Sequence, residues 1–134
     1  MKAINIGYST EDSGMWLELI PNLQRYEWLY FIKDQLQWGE LLTVDEAVAK
    51  LQEEFDKYKD LEPFPGLDEY VAEWTEKMEK FKAATKDQKG LVVEWGIEYD
   101  AQLMFVFDST KEDVQALNDV DMDDESQYDK PEEL

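Results

Sequence analysis

The segment LVVEWGIEYDAQLMFVF, residues 91–107, decides the fold because its apolar residues alternate with a period of two. Glu94 and Glu98 lie on one predicted face of its first half, and the other face holds Leu91, Val93, Trp95, Ile97 and Tyr99. After a short break at residues 99–102, the alternation resumes at Leu103, Phe105 and Phe107. Such a pattern is typical of half-buried strands. The segment therefore predicts a β-hairpin near the end of the domain.

A second pair of alternating runs opens the chain. Residues 2–8 and 15–20 flank the turn-rich segment STEDSG, which contains Glu11 and Asp12. This arrangement predicts an N-terminal hairpin with both acids in its turn. The chain therefore has strands at both ends of its folded part.

Three helices are predicted between the two hairpins. The first covers residues 23–38, after Pro21 and Asn22 end the strand. The second begins at the capping-box sequence TVDE, residues 43–46, and runs to about residue 60. The third follows PFPG, residues 63–66, and ends before Gly90.

The resulting order ββαααββ predicts an α+β fold. We expect a single domain over residues 1–117, with an antiparallel sheet of about four strands and three helices packed on one face. Residues 118–134 are expected to form a disordered acidic C-terminal tail. From residue 119 onward this tail holds eight acidic residues and one lysine, so it has little to bury and repels itself.

Strong acidity limits the partners of the protein. The chain has 33 acidic and 13 basic residues and a net charge of −20. A field of this sign repels phosphate groups, so direct binding of nucleic acid or an anionic membrane is disfavoured. We expect a basic protein partner, and the sequence leaves the oligomeric state open.

Missing residue types exclude several kinds of chemistry. The chain has no cysteine and no histidine, so disulfides, thiol nucleophiles, imidazole bases and the usual zinc or haem ligands are absent. The alternation of Asp119, Asp121 and Asp123 resembles the start of a calcium loop. However, Asp124 and Lys130 stand where an EF-hand needs glycine and glutamate. We expect no metal site and no cofactor.

The first helix is unusually rich in aromatic residues. At helical spacing, Leu29, Ile32 and Leu36 form one stripe, while Phe31 and Trp38 project from the opposite side. One interpretation is a central helix, buried between the sheet and the other helices. The other is a patch that binds a partner, with recognition by Trp38, Trp28 and Tyr30.

Many acids of the later helices have a lysine four residues further on, at Glu46–Lys50, Glu53–Lys57, Glu73–Lys77 and Glu76–Lys80. Such pairs are typical of an ordinary solvated helix and argue against mimicry of DNA by the whole surface. The acids predicted to stay unpaired lie in the first turn, on the outer sheet face and in the tail. Outside the tail they are Glu11, Asp12, Glu18, Glu94 and Glu98.

These observations favour a non-catalytic protein that binds another protein. The leading hypothesis is an inhibitor or immunity factor whose acidic surface covers a basic site that handles nucleic acid. Its composition is similar in character to that of toxin-immunity proteins and phage antagonists of host defence, by analogy alone. The predicted location is the cytoplasm, including that of a host of a virus or plasmid, because no apolar run has the length of a signal peptide.

Two alternatives remain open. One is an enzyme that uses carboxylates alone, although Glu94 and Glu98 would lie about 13 Å apart along a strand, which is wider than a glycosidase needs. Glu18 could approach Glu94 if the second and third strands were neighbours. The other alternative is an accessory subunit of a larger assembly, with the aromatic helix as its interface.

Overall fold

A computed structural model of the chain describes residues 1–12, 14–38, 41–61, 64–97, 99–117 and 128–134. Its strands match the two predicted hairpins. The first hairpin consists of β1 (Ala3–Ser9) and β2 (Met15–Ile20). The second consists of β3 (Gly90–Ile97) and β4 (Asp100–Phe107). The alternating patterns therefore predicted all four of these strands.

Three main helices separate the hairpins, namely α1 (Leu29–Trp38), α2 (Val44–Leu61) and α3 (Leu67–Thr85). A short helix, α4 (Lys111–Gln115), follows the second hairpin. The order ββαααββ and the α+β class are thereby confirmed. None of the helices in the described ranges combines the length and apolar character needed to cross a membrane.

All strands pair antiparallel in one sheet with the order β3-β4-β1-β2-β5. The fifth strand, β5 (Glu132–Glu133), was not predicted and pairs with β2 at the edge of the sheet. The sheet therefore has one strand more than the expected four. Because β1 and β4 lie between β2 and β3, the second and third strands are not neighbours.

The helices lie on both faces of the sheet, which corrects the expectation of three helices on one face. One core cluster joins α2 and α3 to strand residues such as Ile4, Ile6 and Phe105. The other joins α1 to Ala3 and the alternate residues of β3 and β4. Since successive strand residues point to opposite faces, the two clusters lie on opposite sides of the sheet.

The core beneath α2 and α3 is built largely from aromatic rings. Phe55 of α2 stacks on Trp74 of α3 with ring centres 5.0 Å apart, and Tyr8 of β1 meets Trp74 edge-on at 5.3 Å. The Trp74 indole donates a hydrogen bond to Gln52 over 3.1 Å, which satisfies the polar edge of a fully buried side chain. These contacts fix both helices on this face.

The first helix is shorter than predicted because the chain enters it through a separate turn. Asn22 accepts a hydrogen bond from the Gln24 amide and caps a single 3-10 turn, Leu23–Arg25. Tyr26 is then extended, and α1 begins only at Leu29. This entry segment places Tyr26, Glu27 and Trp28 beside the sheet rather than within a helix.

The last seven residues contact the folded body. The Asp129 amide donates to the Arg25 carbonyl over 2.9 Å, and its carboxylate lies 3.3 Å from the Arg25 guanidinium. With β5, these contacts place residues 128–134 against the sheet edge, which differs from the disorder expected for the whole tail. Residues 118–127, with most of the rejected calcium loop, lie outside the described part.

Candidate functional site

An open cavity of about 260 Å³ lies on the sheet face that carries α1. We call it the acidic cavity. Its floor is formed by strand residues, one wall by the segment that leads into α1, and its rim includes Pro131 near the C-terminus. It is lined by Asn5, Trp16, Glu18, Tyr26, Glu27, Trp28, Asp100, Gln102 and Pro131.

The cavity exists because α1 covers only part of this face. The cluster beneath α1 includes Leu91, Met104 and Val106, whereas Gly7 and Gln102, nearer the hairpin turns, lie outside it. Gly7 leaves room for the Trp16 ring: a Cβ atom at Gly7 would stand 2.6 Å from Trp16 Cζ2. The half of this sheet face that α1 does not cover therefore forms the floor of the acidic cavity, and the Trp16 ring extends over it.

Hydrogen bonds fix the orientation of that ring. The Trp16 indole Nε1 donates to Asn5 Oδ1 over 2.7 Å. Asn5 is fully buried and its own Nδ2 donates to the Leu103 carbonyl over 3.1 Å. Because both groups of the Asn5 amide are occupied, Trp16 is held in one position at the cavity floor.

Three carboxylates, Glu18, Glu27 and Asp100, line the cavity, and no lysine or arginine is among its lining residues. Burial, and then the charge of Glu27, raise the pKa of the Glu18 carboxyl. Burial also raises the pKa of Tyr26, and Glu18 and Glu27 raise it further. The cavity thus concentrates negative charge that nothing in its own lining neutralises.

Gln102 presents an unused polar group to the cavity. The residue is only 9% exposed, yet its side-chain amide has no hydrogen-bond partner among the side chains and backbone groups that the structure describes. Buried amides are normally satisfied, and an unsatisfied one costs about 1–3 kcal/mol. Because the cavity is open, the Gln102 amide is accessible to a ligand that enters it.

An aromatic patch borders the cavity, and we define it as half-buried Trp28 with exposed Tyr30 and Phe31. The Trp28 and Phe31 ring centres are 5.3 Å apart, and those of Tyr30 and Phe31 are 5.7 Å apart. Tyr30 is 59% exposed and Phe31 39% exposed, whereas Leu29, Ile32 and Leu36 are buried as predicted. Trp28 belongs to both features, so the patch continues directly into the cavity wall.

The structure brings together only some of the predicted partner-binding residues. Glu18 and Trp28 line the cavity, and Tyr30 lies beside it. Glu11 and Asp12 are exposed in the first hairpin turn and do not line it. The side chain of Trp38 and the whole of Glu98 lie outside the described part.

Glu94 was predicted to be an unpaired acid on an outer face, and this is wrong. Its carboxylate lies 3.5 Å from Lys50 of α2, on the face that α2 and α3 cover. Lys50 had been predicted to pair with Glu46, which instead completes the capping box with Thr43. The other three predicted pairs form, Glu53–Lys57, Glu73–Lys77 and Glu76–Lys80.

The carboxylate pair considered for an enzyme does not assemble. Glu18 is in register with Asn5, Met104 and Val93, whereas Glu94 is in register with Leu103 and therefore points to the opposite face. Two strands also separate them. Glu18 and Glu94 cannot act on one substrate.

A second concave region lies at the hairpin-turn end of the sheet. It measures about 640 Å³ and includes Glu11, Tyr8 and Tyr99. Its charge is mixed, because Lys57 lines it together with Glu54. Burial, then Glu54 and Tyr58, raise the pKa of Tyr8 to about 12, so this phenol stays neutral.

Several cavity residues were missed in the sequence, among them Gln102, Trp16 and Tyr26. Gln102 was assigned to the break between two strands, whereas it is a strand residue opposite Gly7. A usable signal was the presence of polar Asn5 inside an alternating apolar strand, which marks a strand face that is not wholly core.

The described residues contain no group of three or more side chains suited to hold a metal ion. Comparison of the chain with protein-family models, with curated proteins and with solved structures gave no match.

Proposed function

We propose that this protein is a non-catalytic, acidic binding protein that inhibits or neutralises a basic protein by covering its positively charged site. The acidic cavity and the aromatic patch form the contact surface. The proposed partner is a cytoplasmic protein whose basic site handles nucleic acid. An inhibitor or immunity factor, of the kind that opposes a toxin or a host defence system, fits this description.

The observation that supports the proposal is the group of three carboxylates that share the acidic cavity with no basic residue in its lining. On α2 and α3, several acids lie within 4 Å of lysines, as in Glu73–Lys77 and Glu79–Lys82. The acidic cavity has three carboxylates and no basic residue in its lining. This group of carboxylates favours steering of a basic partner to the cavity.

The aromatic patch supplies the short-range part of the interaction. Exposed rings of Tyr and Trp are enriched among residues that dominate binding energy, and they lose little conformational freedom on contact. Because Trp28 joins the patch to the cavity, one partner can cover both at once. Whole-surface mimicry of DNA receives no support from the paired acids of α2 and α3.

The test is capture of a partner from cell lysate on the immobilised full-length protein at low and at high salt. We expect one dominant basic protein that is retained at low salt and released at high salt, since screening weakens exposed charge interactions. Absence of such a protein, or retention that is independent of salt, would contradict the proposal.

Two variants with the same net charge locate the surface. Glu18→Gln/Glu27→Gln removes two charges from the acidic cavity. Asp60→Asn/Glu69→Gln removes two charges from exposed positions of α2 and α3 on the other face. The cavity variant should release the partner at a lower salt concentration than the control variant. Release of the partner at the same salt concentration by both variants would place the interaction elsewhere.

A second candidate function rests on one observation. Glu18 has a raised pKa beside Glu27, and carboxylates in unlike environments can serve as acid and base. In that case a single Glu18→Gln change would abolish turnover. In a binding protein the same change produces only a graded loss of association rate.

A further inference from the structure

The floor of the acidic cavity offers a neutral hydrogen-bonding group next to the charged ones. Gln102 is 91% buried, lines the cavity and has an amide without a hydrogen-bond partner in the described structure. Asn5, the other buried amide of the floor, already accepts from Trp16 and donates to the Leu103 carbonyl. The Gln102 carbonyl oxygen is therefore an acceptor that remains available to a ligand.

The charges around Gln102 determine the sign of that ligand. Glu18, Glu27 and Asp100 line the same space, and their carboxylates can only accept hydrogen bonds when ionised. A ligand that satisfies them must be cationic and must donate several hydrogen bonds. Anions would be repelled.

The aromatic residues of the cavity favour one kind of cation over another. Trp16, Tyr26 and Trp28 are among the lining residues, and Trp16 is fixed by its bond to Asn5. A guanidinium group is planar, weakly hydrated and able to stack on such rings, and it donates five hydrogen bonds in a fixed fork. An ammonium group is more strongly hydrated and has three donors. Several acceptors together with rings thus suit a guanidinium better.

We propose that the acidic cavity binds a guanidinium group, supplied by an arginine side chain of the basic partner. In the bound state Gln102 and the carboxylates accept from the guanidinium, and an aromatic ring covers its face. This inference rests on the proposed function for the source of the arginine. The guanidinium chemistry itself rests on the cavity alone.

The direct test uses blocked arginine, an arginine with acetylated amine and amidated carboxylate, titrated into the isotope-labelled full-length protein. The Trp16 indole and Gln102 side-chain amide resonances should shift saturably, with a Kd of about 1–10 mM. Blocked citrulline, which has the same shape without the charge, should bind at least about tenfold more weakly. Blocked lysine should also bind more weakly. Equal shifts with citrulline or lysine, or no saturable shift, would overturn the inference.

Two variants separate binding from folding. Gln102→Leu removes an unsatisfied amide, so its thermal midpoint should rise while its affinity for blocked arginine falls. Glu18→Gln should lower the affinity for blocked arginine by about fivefold to tenfold. Glu69→Gln, on the other face, should leave this affinity unchanged. If Gln102→Leu left the affinity unchanged, the cavity would not be the binding site.

Failure of the guanidinium inference can be distinguished from failure of the proposed function. If a basic partner is captured but blocked arginine does not bind, only the guanidinium inference is lost. If blocked arginine binds in the cavity and no basic protein is captured, the proposed function is wrong. The guanidinium group is then not supplied by an arginine of a partner protein. In that case a free guanidinium compound would be the ligand.

Discussion

Glu18 and Glu94 occupy similar positions in the sequence, each within an alternating strand, but their surroundings differ. Glu94 is neutralised by Lys50 of α2, whereas Glu18 lies in a cavity with Glu27 and without a base. Alternation identifies which strand residues share a face, but not what packs over that face. The sequence therefore predicted Glu18 as a candidate and could not separate it from Glu94.

Glu18 should make stability depend on pH. Burial and Glu27 raise its pKa in the folded protein, so folding favours the protonated form. The destabilisation caused by ionised Glu18 is absent below the ordinary glutamate pKa of about 4.3. It grows as the pH rises through the pKa of Glu18 in the folded protein. Glu18→Gln should therefore be more stable than the parent at neutral pH, and the difference should shrink towards pH 4.

Denaturant unfolding at a series of pH values measures this difference. Glu69→Gln, which alters an exposed acid on the other face, controls for the general change in net charge. If Glu18→Gln were less stable than the parent at neutral pH, the carboxylate would be stabilised by its surroundings and the interpretation of the cavity would be wrong.

Tyr99 is a second residue with a specific conformational cost. It is 55% exposed and has φ of 82°, a value that bulky L residues rarely adopt. The backbone amide and hydroxyl of Thr10 both donate to its carbonyl, over 2.7 and 3.0 Å, and hold the turn in place. We expect Tyr99→Gly to be more stable than Tyr99→Ala by about 1 kcal/mol, because glycine adopts positive φ without strain.

Equilibrium unfolding of the two Tyr99 variants gives this difference directly. Both changes remove the same exposed ring, so the comparison isolates the backbone. Equal stability of the glycine and alanine variants would show that the turn carries no such strain.

Among the elements, α1 differs most from expectation. Its stripe of Leu29, Ile32 and Leu36 was predicted correctly, because helical periodicity marks buried positions. Its place opposite α2 and α3 was not, since periodicity contains no information about which sheet face a helix covers. Strand β5 was missed because two acidic residues have no strand pattern of their own.

Placement of α1 predicts different effects for its two sides. Leu36→Ala should reduce the free energy of unfolding by about 2–5 kcal/mol, because it leaves a cavity in the core beneath α1. Tyr30→Ala should change the free energy of unfolding by less than about 0.5 kcal/mol. It should nevertheless weaken partner binding by about 2 kcal/mol or more. Denaturation and binding measured on the same samples distinguish the two effects.

If Tyr30→Ala unfolded the protein as severely as Leu36→Ala, the aromatic patch would be part of the core. If it left both folding and partner binding unchanged, the patch would not belong to the interface. Phe31→Ala provides a second exposed position on the same patch.

At the scale of the whole molecule, the sheet divides the protein into two sides whose acidic residues are arranged differently. One side has α2 and α3 with their lysine pairs, and the other has α1, the acidic cavity and the aromatic patch. The total charge of −20 was evident from composition, but its compensation was not, because contacts such as Lys50–Glu94 join residues distant in the chain. The three carboxylates gathered at the acidic cavity are the physical basis of the proposed function.

The most direct test of this account is the association rate of the captured basic partner as a function of salt. The rate should fall as the Debye length shrinks from about 10 Å at 0.1 M salt to about 3 Å at 1 M, while dissociation changes less. At low salt, Glu18→Gln/Glu27→Gln should slow association more than the charge-matched Asp60→Asn/Glu69→Gln. An association rate that is independent of salt, or that the two variants reduce equally, would contradict the claim that the acidic cavity is the site.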